Sequence, residues 1–188
     1  MSVFTEGGIN NILSDTTELK RVFRWVFTFP EITGTDTSSL QNYHAKTSNR
    51  PKGSFEEVVI DSLGGKKWIG GKFAWETIDM TLYDPLSPSA SKALFDWFRL
   101  NYNPEDGSMG YENKPEDPNV SYKKQCTLTM VTPDGTTGEE WTLKGCWPMS
   151  FDLGALDYAG NDAVEISFTM RYDNAVLSQS TPESTTEG

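Results

Sequence analysis

The fold class of this chain of 188 residues is decided by residues 163–173, which read AVEISFTMRYD. From Val164 to Tyr172 every second side chain is apolar, and the positions between them carry acidic, hydroxyl or basic groups. Successive side chains of a β-strand point to opposite faces, so this alternation predicts a strand with one apolar and one polar face. An antiparallel sheet of such strands buries the first face and exposes the second to water. The function of the chain therefore depends on what the polar face meets.

Three further stretches alternate in the same way, at residues 72–83, 121–131 and 139–147. A shorter strand is predicted at residues 22–29, which place aromatic side chains on one face and end at a proline. Residues 89–100 show the one convincing helical period, because their apolar side chains recur every three and four positions after a Ser-Pro-Ser start. We therefore expect a mainly β fold, a small β-barrel or sandwich with one packed α-helix.

An extended hairpin is predicted at residues 55–69, where two β-prone runs flank a Leu-Gly-Gly turn at residues 63–65. An isolated hairpin is marginally stable in water, so its apolar side chains need a surface to cover. That surface is either another subunit or the chain's own barrel, and we favour the other subunit. The residues proposed for this contact between subunits are Glu57, Val58, Val59, Ile60, Lys66, Lys67, Trp68 and Ile69.

The remaining segments predict one domain at residues 20–175, a length that suits a single core. Residues 1–19 lack strong periodicity and are expected to form an N-terminal arm that orders against a neighbour. Residues 103–119 contain several prolines and glycines and are expected to form a long polar loop. Residues 176–188 are polar, rich in Ser and Thr, and are expected to be a flexible C-terminal tail.

The formal charge of the chain is −11, from 27 acidic and 16 basic residues. Binding to nucleic acid by neutralising phosphates requires clustered lysines and arginines, which this sequence lacks, so contacts that read a DNA sequence are not expected. No apolar run is long enough to span a bilayer, and the start of the chain does not resemble a secretory signal. We expect a protein made in the cytoplasm that does not insert into a membrane.

Residues for catalysis or metal binding are scarce. The single histidine, His44, is expected to be structural within a strand, which removes most relays that pair histidine with a nucleophile. Asp157 and Asp162 are expected to belong to a turn between strands rather than to a calcium site. Cys126 shares the apolar face of its predicted strand and Cys146 falls opposite the apolar face of its own, and both are expected to be buried or half-buried free thiols. The sequence therefore predicts no enzyme, no cofactor and no metal.

The tryptophans suggest carbohydrate binding as another class of function, because sugars can stack on aromatic rings. Four of the six tryptophans, Trp25, Trp97, Trp141 and Trp147, lie in apolar rows and are expected in the core. Trp68 and Trp75 remain available for another role. A non-catalytic carbohydrate-binding module on a β-sandwich therefore stays open as an alternative.

Several motifs, taken in their order along the chain, resemble a family. They are YHAKTSNRPKG at residues 43–53, FAWETIDMTLYD at 73–84, LFDW at 94–97 and LKGCWP at 143–148. With the closing strand before Tyr172, they resemble the tail tube proteins of contractile-tailed bacteriophages over about residues 20–175. The inner tube proteins of bacterial contractile injection or secretion systems share that architecture and are the second alternative.

The resemblance implies a structural subunit that forms hexameric rings, which stack and join their strands into a continuous inner β-barrel. It implies a virion tail protein assembled in the host cytoplasm, with further copies of itself, the tail sheath, the baseplate, the tape measure and the tail terminator as partners. Double-stranded DNA would pass through transiently and without specific binding. The polar rows would line the channel, and the proposed lumen-facing residues are Thr77, Asp79, Thr81, Thr127, Thr129, Thr142, Lys144, Glu165, Ser167, Thr169 and Arg171.

Overall fold

The structure is a computed structural model that describes residues 20–32 and 40–178. Nine strands and one long helix make up most of it. In chain order they are β1 (Trp25–Thr28), β2 (Ala45–Ser48), β3 (Gly53–Ser62), β4 (Gly65–Trp75), β5 (Ile78–Tyr83), α1 (Ala90–Asn101), β6 (Lys124–Val131), β7 (Thr137–Asp152), β8 (Glu165–Arg171) and β9 (Asn174–Ser178). Short 3-10 turns precede β2 (Asn42–His44) and β6 (Pro118–Val120).

Seven strands form one antiparallel sheet in the order β1-β6-β7-β8-β5-β2, with β9 paired to β7. The other two, β3 and β4, pair only with each other among the described strands and form a separate hairpin. The mainly β prediction is thus confirmed. The barrel is not closed within the subunit, because β1 and β2 end the sheet and do not pair with one another.

Strands β5 and β8 show how the alternating sequence builds the core. Their register places Ile78 opposite Met170, Met80 opposite Phe168 and Leu82 opposite Ile166. All six of these side chains are buried, and the residues between them are partly or fully exposed. One hydrophobic cluster collects these residues together with apolar side chains of β1, β6, β7 and α1. The predicted division into an apolar and a polar face is therefore correct for these strands.

The helix α1 lies within one residue of the predicted bounds. Ser89 caps it by accepting a hydrogen bond from the Lys92 amide at 3.3 Å. The Asp84 carboxylate accepts from the amides of Ala90 and Ser91 at 2.8 and 3.2 Å, and a carboxylate also interacts favourably with a helix N-terminus. The buried stripe consists of Ala90, Ala93, Leu94 and Trp97.

The structure corrects two strand predictions. The stretch 72–83 is interrupted at Glu76 and Thr77, so its first part belongs to the hairpin and its second part to the main sheet. The strand predicted at 139–147 extends from Thr137 to Asp152, which is 16 residues. Inside it Gly145 adopts φ +70°, a conformation that favours glycine, and the register shifts at this point. The extra length lets β7 pair with β6 and β9 in its first part and with β8 in its second.

The bulge at Gly145 also corrects the predicted face of Cys146. Both cysteines are buried, as predicted, but Cys146 lies on the core side together with Cys126. Strict alternation places Cys146 opposite Leu143, whereas the bulge turns Cys146 to the core side, and its Sγ lies 3.5 Å from the Leu143 carbonyl oxygen. Burial, with Cys146 as a neighbour, raises the pKa of the Cys126 thiol. Both thiols are free, as predicted.

The chain after the main sheet is more ordered than predicted. Residues 176–178 were assigned to a flexible tail, but they belong to β9, whose Val176 lies opposite Thr142. The arm at residues 1–19 and the tail from residue 179 lie outside the described residues.

The loop at 103–119 is present and is held by isolated bridges from Tyr102 to Met109 and from Tyr111 to Ser121. Within the described ranges, no helix has the length and apolarity needed to cross a membrane.

Candidate assembly surfaces

The β3–β4 hairpin projects from the domain with both faces exposed. Every residue of β3 is exposed, and so is nearly every residue of β4. Val59 lies opposite Trp68 on one face and Val58 opposite Ile69 on the other, so each face carries apolar side chains. Trp68 is 62% exposed. The hairpin therefore does not cover the subunit's own core, which was the alternative to a contact with another subunit.

The root of the hairpin, in contrast, is firmly attached. The Lys52 carbonyl oxygen accepts hydrogen bonds from the Glu76 amide at 2.8 Å and from the Tyr172 hydroxyl at 3.3 Å. A chain of ring contacts runs from Phe55 through Phe73 and Trp75 to Tyr172, with centroid distances of 4.9, 4.8 and 5.6 Å. Trp75, left open by the sequence, thus packs against the core, and Trp68 stays exposed. The hairpin is an exposed extension on a fixed base.

Glu139 is a buried carboxylate that the sequence did not single out. Its side chain is 4% exposed, and it forms ion pairs with Lys20 and Arg50. It also accepts a hydrogen bond from Trp141 Nε1 at 2.6 Å. Burial would raise the pKa of Glu139, but the hydrogen bonds from Lys20, Trp141 and Arg50 lower it to about 2.

This ionic cluster joins distant parts of the chain. Lys20 is the first described residue after the arm, and Arg50 stands three residues before the hairpin begins. Lys20 and Glu139 are 119 positions apart, so no local spacing could reveal the pair. The one available signal was an acidic residue at an inward-facing position of a predicted strand. The cluster fixes the places where the two predicted extensions leave the domain.

Ten of the eleven proposed lumen residues lie on the face of the main sheet that turns away from the core, the eleventh, Thr77, lies just before β5, and none of the eleven is buried. They fall into two groups. The first lies on β6 and β7, where Thr127 is opposite Thr142. The second lies on β5 and β8, where Thr81 is opposite Ser167 and Asp79 is opposite Thr169. Thr77 precedes β5 and belongs with the second group.

The second group borders a broad polar groove on the outer face of β2, β5, β8 and the end of β7. Thr169 Oγ1 donates to Asp79 Oδ1 at 2.8 Å across this surface. The residues that line the groove include no lysine or arginine. They are Thr47, Ser48, Asn49, Asp79, Met80, Thr81, Ser150, Phe151, Asp152, Ser167, Phe168 and Thr169. Ser150 and Asp152 were missed because the bulged strand β7 continues beyond the predicted end. Lys46 and Glu165 pair at one end of the same sheet.

The residues considered for chemistry have structural roles. His44 is buried in the 3-10 turn rather than in a strand, its Nδ1 accepts from the Gln41 amide at 3.1 Å, and burial lowers its pKa. Asp157 Oδ1 accepts from the Ala159 amide at 3.0 Å, as in a turn that closes on its own backbone. Trp97 is fully buried, and its Nε1 donates to the Tyr122 carbonyl oxygen at 2.8 Å.

Several solved structures have a similar fold, and two of them are chains of an extracellular contractile injection system. A chain in the sheath/tube terminator of the extracellular contractile injection system PVC, in the extended state, has a TM-score of 0.61 at 15% identity, and the match covers 87% of this chain and 99% of that one. A chain of the PVC sheath-tube complex has a TM-score of 0.58 at 15% identity, with 92% and 99% covered. A chain of the anti-feeding prophage baseplate has a TM-score of 0.61 at 12% identity, with 88% and 98% covered.

At the level of sequence, the family described as T4-like virus tail tube protein gp19 matches residues 64–175, more than half of the chain. The chain belongs to this family, and it is a structural component of a virion tail. The resemblance found in the sequence is thereby confirmed. A comparison with curated proteins found no match.

Proposed function

We propose that this protein assembles into hexameric rings that stack into a tail tube and form the channel for genome delivery. The observation that carries the proposal is the main sheet, which has one buried face, one polar face and two ends, β1 and β2, left open by the described strands. Open sheet edges pair readily with other chains, and ring closure satisfies them. Membership of a tail tube family supports the same assembly.

The polar face of the sheet becomes the wall of the channel in this assembly. Its proposed residues carry mainly hydroxyl and carboxylate groups, and the groove on β5 and β8 has Asp79 and Asp152 with no basic residue in its lining. DNA adheres to proteins chiefly through phosphate contacts with Lys and Arg. A wall of this composition offers few such contacts, so DNA passes without being held. Lys144 and Arg171 are the basic members of the proposed rows.

The hairpin serves the contact between subunits. Its valines, its isoleucines and Trp68 are exposed in the single subunit, and exposed apolar surface of this kind marks an interaction site. The attached root at Lys52 and Tyr172 sets the direction in which it projects. We expect the N-terminal arm to contribute to the same contacts.

Further partners follow from the structures with a similar fold. Those structures come from a sheath-tube complex, a terminator and a baseplate. We propose that the tube of this protein is surrounded by a sheath protein, starts at a baseplate, ends at a terminator and encloses a tape measure protein. The outer surface, with α1 at the side of the sheet, is the available face for the sheath.

The assembly is tested by electron microscopy and sedimentation of the purified protein. We expect rings or hollow filaments from the full chain. A variant lacking residues 56–69 should fold, as measured by circular dichroism and thermal unfolding, but should not stack. Full-length tubes from the deletion variant would refute the role of the hairpin, and a full chain that stays monomeric at all concentrations would refute the tube.

The lumen assignment is tested by cysteine labelling, because both native thiols are buried. In Ser167→Cys the new thiol should react with a bulky maleimide polymer in the single subunit and become protected in assembled tubes. Lys92→Cys, on α1, should react in both states and serves as the control. Equal labelling of Ser167→Cys before and after assembly would place the β8 row outside the channel.

The second candidate is an inner tube of a bacterial contractile injection system. Two solved structures with a similar fold, with TM-scores of 0.61 and 0.58, belong to an extracellular contractile injection system. The two candidates share the tube and differ in the cargo. Purified particles that contain DNA in the associated head would support the phage tail, whereas particles loaded with protein would support the injection system.

A further inference from the structure

Two exposed segments of this chain carry opposite charge. Strand β4 contains Lys66, Lys67 and Lys72 and no acidic residue. Residues 153–164, here called the acidic loop, contain Asp157 and Asp162 and no basic residue. Both segments are exposed almost throughout, so they do not neutralise each other within one subunit.

Each segment also exposes apolar side chains next to its charges. Trp68 lies between the lysines of β4 and is 62% exposed. Leu156 and Tyr158 of the acidic loop are 85% and 111% exposed. Apolar residues with a charged surround are typical of protein interfaces, in which the apolar part supplies affinity and the charges supply orientation.

Most of these charges lack an ion pair. Within residues 20–32 and 40–178, the carboxylates of Asp157 and Asp162 form no ion pair, and Asp157 accepts only from the Ala159 amide. In β4 only Lys66 approaches an acid, with Nζ 3.9 Å from Asp61 Oδ1 at an exposed position where such a pair contributes little. The charges are therefore free to meet a partner.

We infer that β4 of one subunit docks on the acidic loop of a second copy of this chain. The two surfaces differ and lie on different parts of the subunit, so the contact is head-to-tail, the kind that generates closed rings or continuing stacks. The paired strand β3 carries the acidic residues Glu56, Glu57 and Asp61, so the hairpin is expected to approach the loop with its β4 edge and not with its β3 edge. A chain of net charge −11 repels its own copies, and a local contact of opposite sign offsets that repulsion.

This inference rests on the proposed tube and adds the identity of the surface that receives the hairpin. A charge-swap experiment tests it. One variant carries Lys66→Glu, Lys67→Glu and Lys72→Glu, and the other carries Asp157→Lys and Asp162→Lys. Each variant alone brings like charges together, so the concentration needed for assembly should rise at least about tenfold. Thermal unfolding of each unassembled variant checks that it is folded.

The mixture of the two variants is the decisive measurement. The acidic β4 of the first variant matches the basic loop of the second, and the basic β4 of the second matches the acidic loop of the first. Assembly should therefore recover only when both are present, with the two alternating. Glu116→Lys, an exposed charge change outside both segments, should assemble as the natural chain does and is the control.

Three outcomes separate the inference from the proposed function. Recovery in the mixture supports the inference. Variants that assemble normally alone, or that stay folded and fail to assemble even when mixed, overturn it while the tube stands. A natural chain that never assembles overturns the proposed function itself.

Discussion

The main sheet and the β3–β4 hairpin both contain strands rich in apolar side chains, but these side chains lie in opposite environments. In β5 and β8 the apolar rows face a common core and are buried. In β3 and β4 the apolar side chains are exposed on both faces. The hydrophobic effect stabilises the first region within one subunit and can stabilise the second only through another molecule. Changes in the two regions should therefore separate folding from assembly.

The largest loss of subunit stability is expected from Trp97→Ala in the core. Trp97 is fully buried, and its indole donates to the Tyr122 carbonyl oxygen. Truncation leaves a cavity and an unpaired carbonyl, so the free energy of unfolding should fall by about 3–5 kcal/mol. Denaturant unfolding of the unassembled subunit measures this loss of unfolding free energy. A loss below about 1 kcal/mol would show that the sheet and helix do not share one core.

The second largest change in subunit stability is expected when acid protonates the Glu139 cluster. The pKa of Glu139 is lowered from 4.5 to about 2, so its ionised form stabilises the fold fully above about pH 5. This stabilisation is lost as the pH falls through about 2, at a cost of about 2–3 kcal/mol when screening at the half-exposed Lys20 and Arg50 is allowed for.

The variant Glu139→Gln should lose that stabilisation at neutral pH and flatten the pH dependence between about 5 and about 2. Unfolding by urea at a series of pH values measures both effects. Glu140→Gln, the neighbouring position opposite Thr129, is the matched control and should keep the natural profile. Identical acid profiles for the natural chain and Glu139→Gln would contradict the assigned cluster.

A smaller loss is expected at the bulge of β7. Gly145 has φ +70°, and a Cβ there would lie 2.2 Å from Asp173 Oδ2. Gly145→Ala should therefore destabilise the subunit by about 1–2 kcal/mol, chiefly through the left-handed backbone. Gly135→Ala, also at positive φ but with open space around it, isolates the backbone part of the effect. Equal losses would show that the contact with Asp173 contributes nothing.

The smallest change in subunit stability is expected in the hairpin. Trp68→Ala removes an exposed side chain, so the free energy of unfolding should change by less than about 0.5 kcal/mol. Assembly should nevertheless weaken, because the same side chain is proposed to be covered by a neighbour. Light scattering at increasing protein concentration measures this. A large drop in thermal stability of the unassembled subunit would mean that Trp68 is covered within its own chain.

Local pattern was enough to predict the regular parts of the fold. The alternation around Ile166 and Phe168 and the helical repeat from Ala90 to Trp97 each reflect a single face turned to a core. The break at Glu76 and Thr77 was missed although the apolar row changes phase there, from Phe73 and Trp75 to Ile78 and Met80. Strand β9 was missed because only Ala175 of its residues is buried, so its sequence has no apolar row.

The assembly surfaces depended more on distant contacts. The hairpin was predictable from its Gly-Gly turn, and the polar rows from their strands. The ionic cluster at Glu139 could not be predicted from the sequence, because Lys20 and Arg50 lie 119 and 89 positions away from Glu139. The bulge at Gly145 could not be predicted either, because one glycine in a strand does not reveal a left-handed backbone. Such features depend on the folded chain as a whole.

The short link between the hairpin and the sheet has a mechanical consequence. Only Glu76 and Thr77 separate β4 from β5, and β5 is hydrogen-bonded to β8 on one side and to β2 on the other. A pull on the hairpin is therefore transmitted directly into a strand that is held along both edges. Such a load shears two ladders of hydrogen bonds at once instead of opening them one by one, so the hairpin can transmit tension without unravelling the domain to which it is attached.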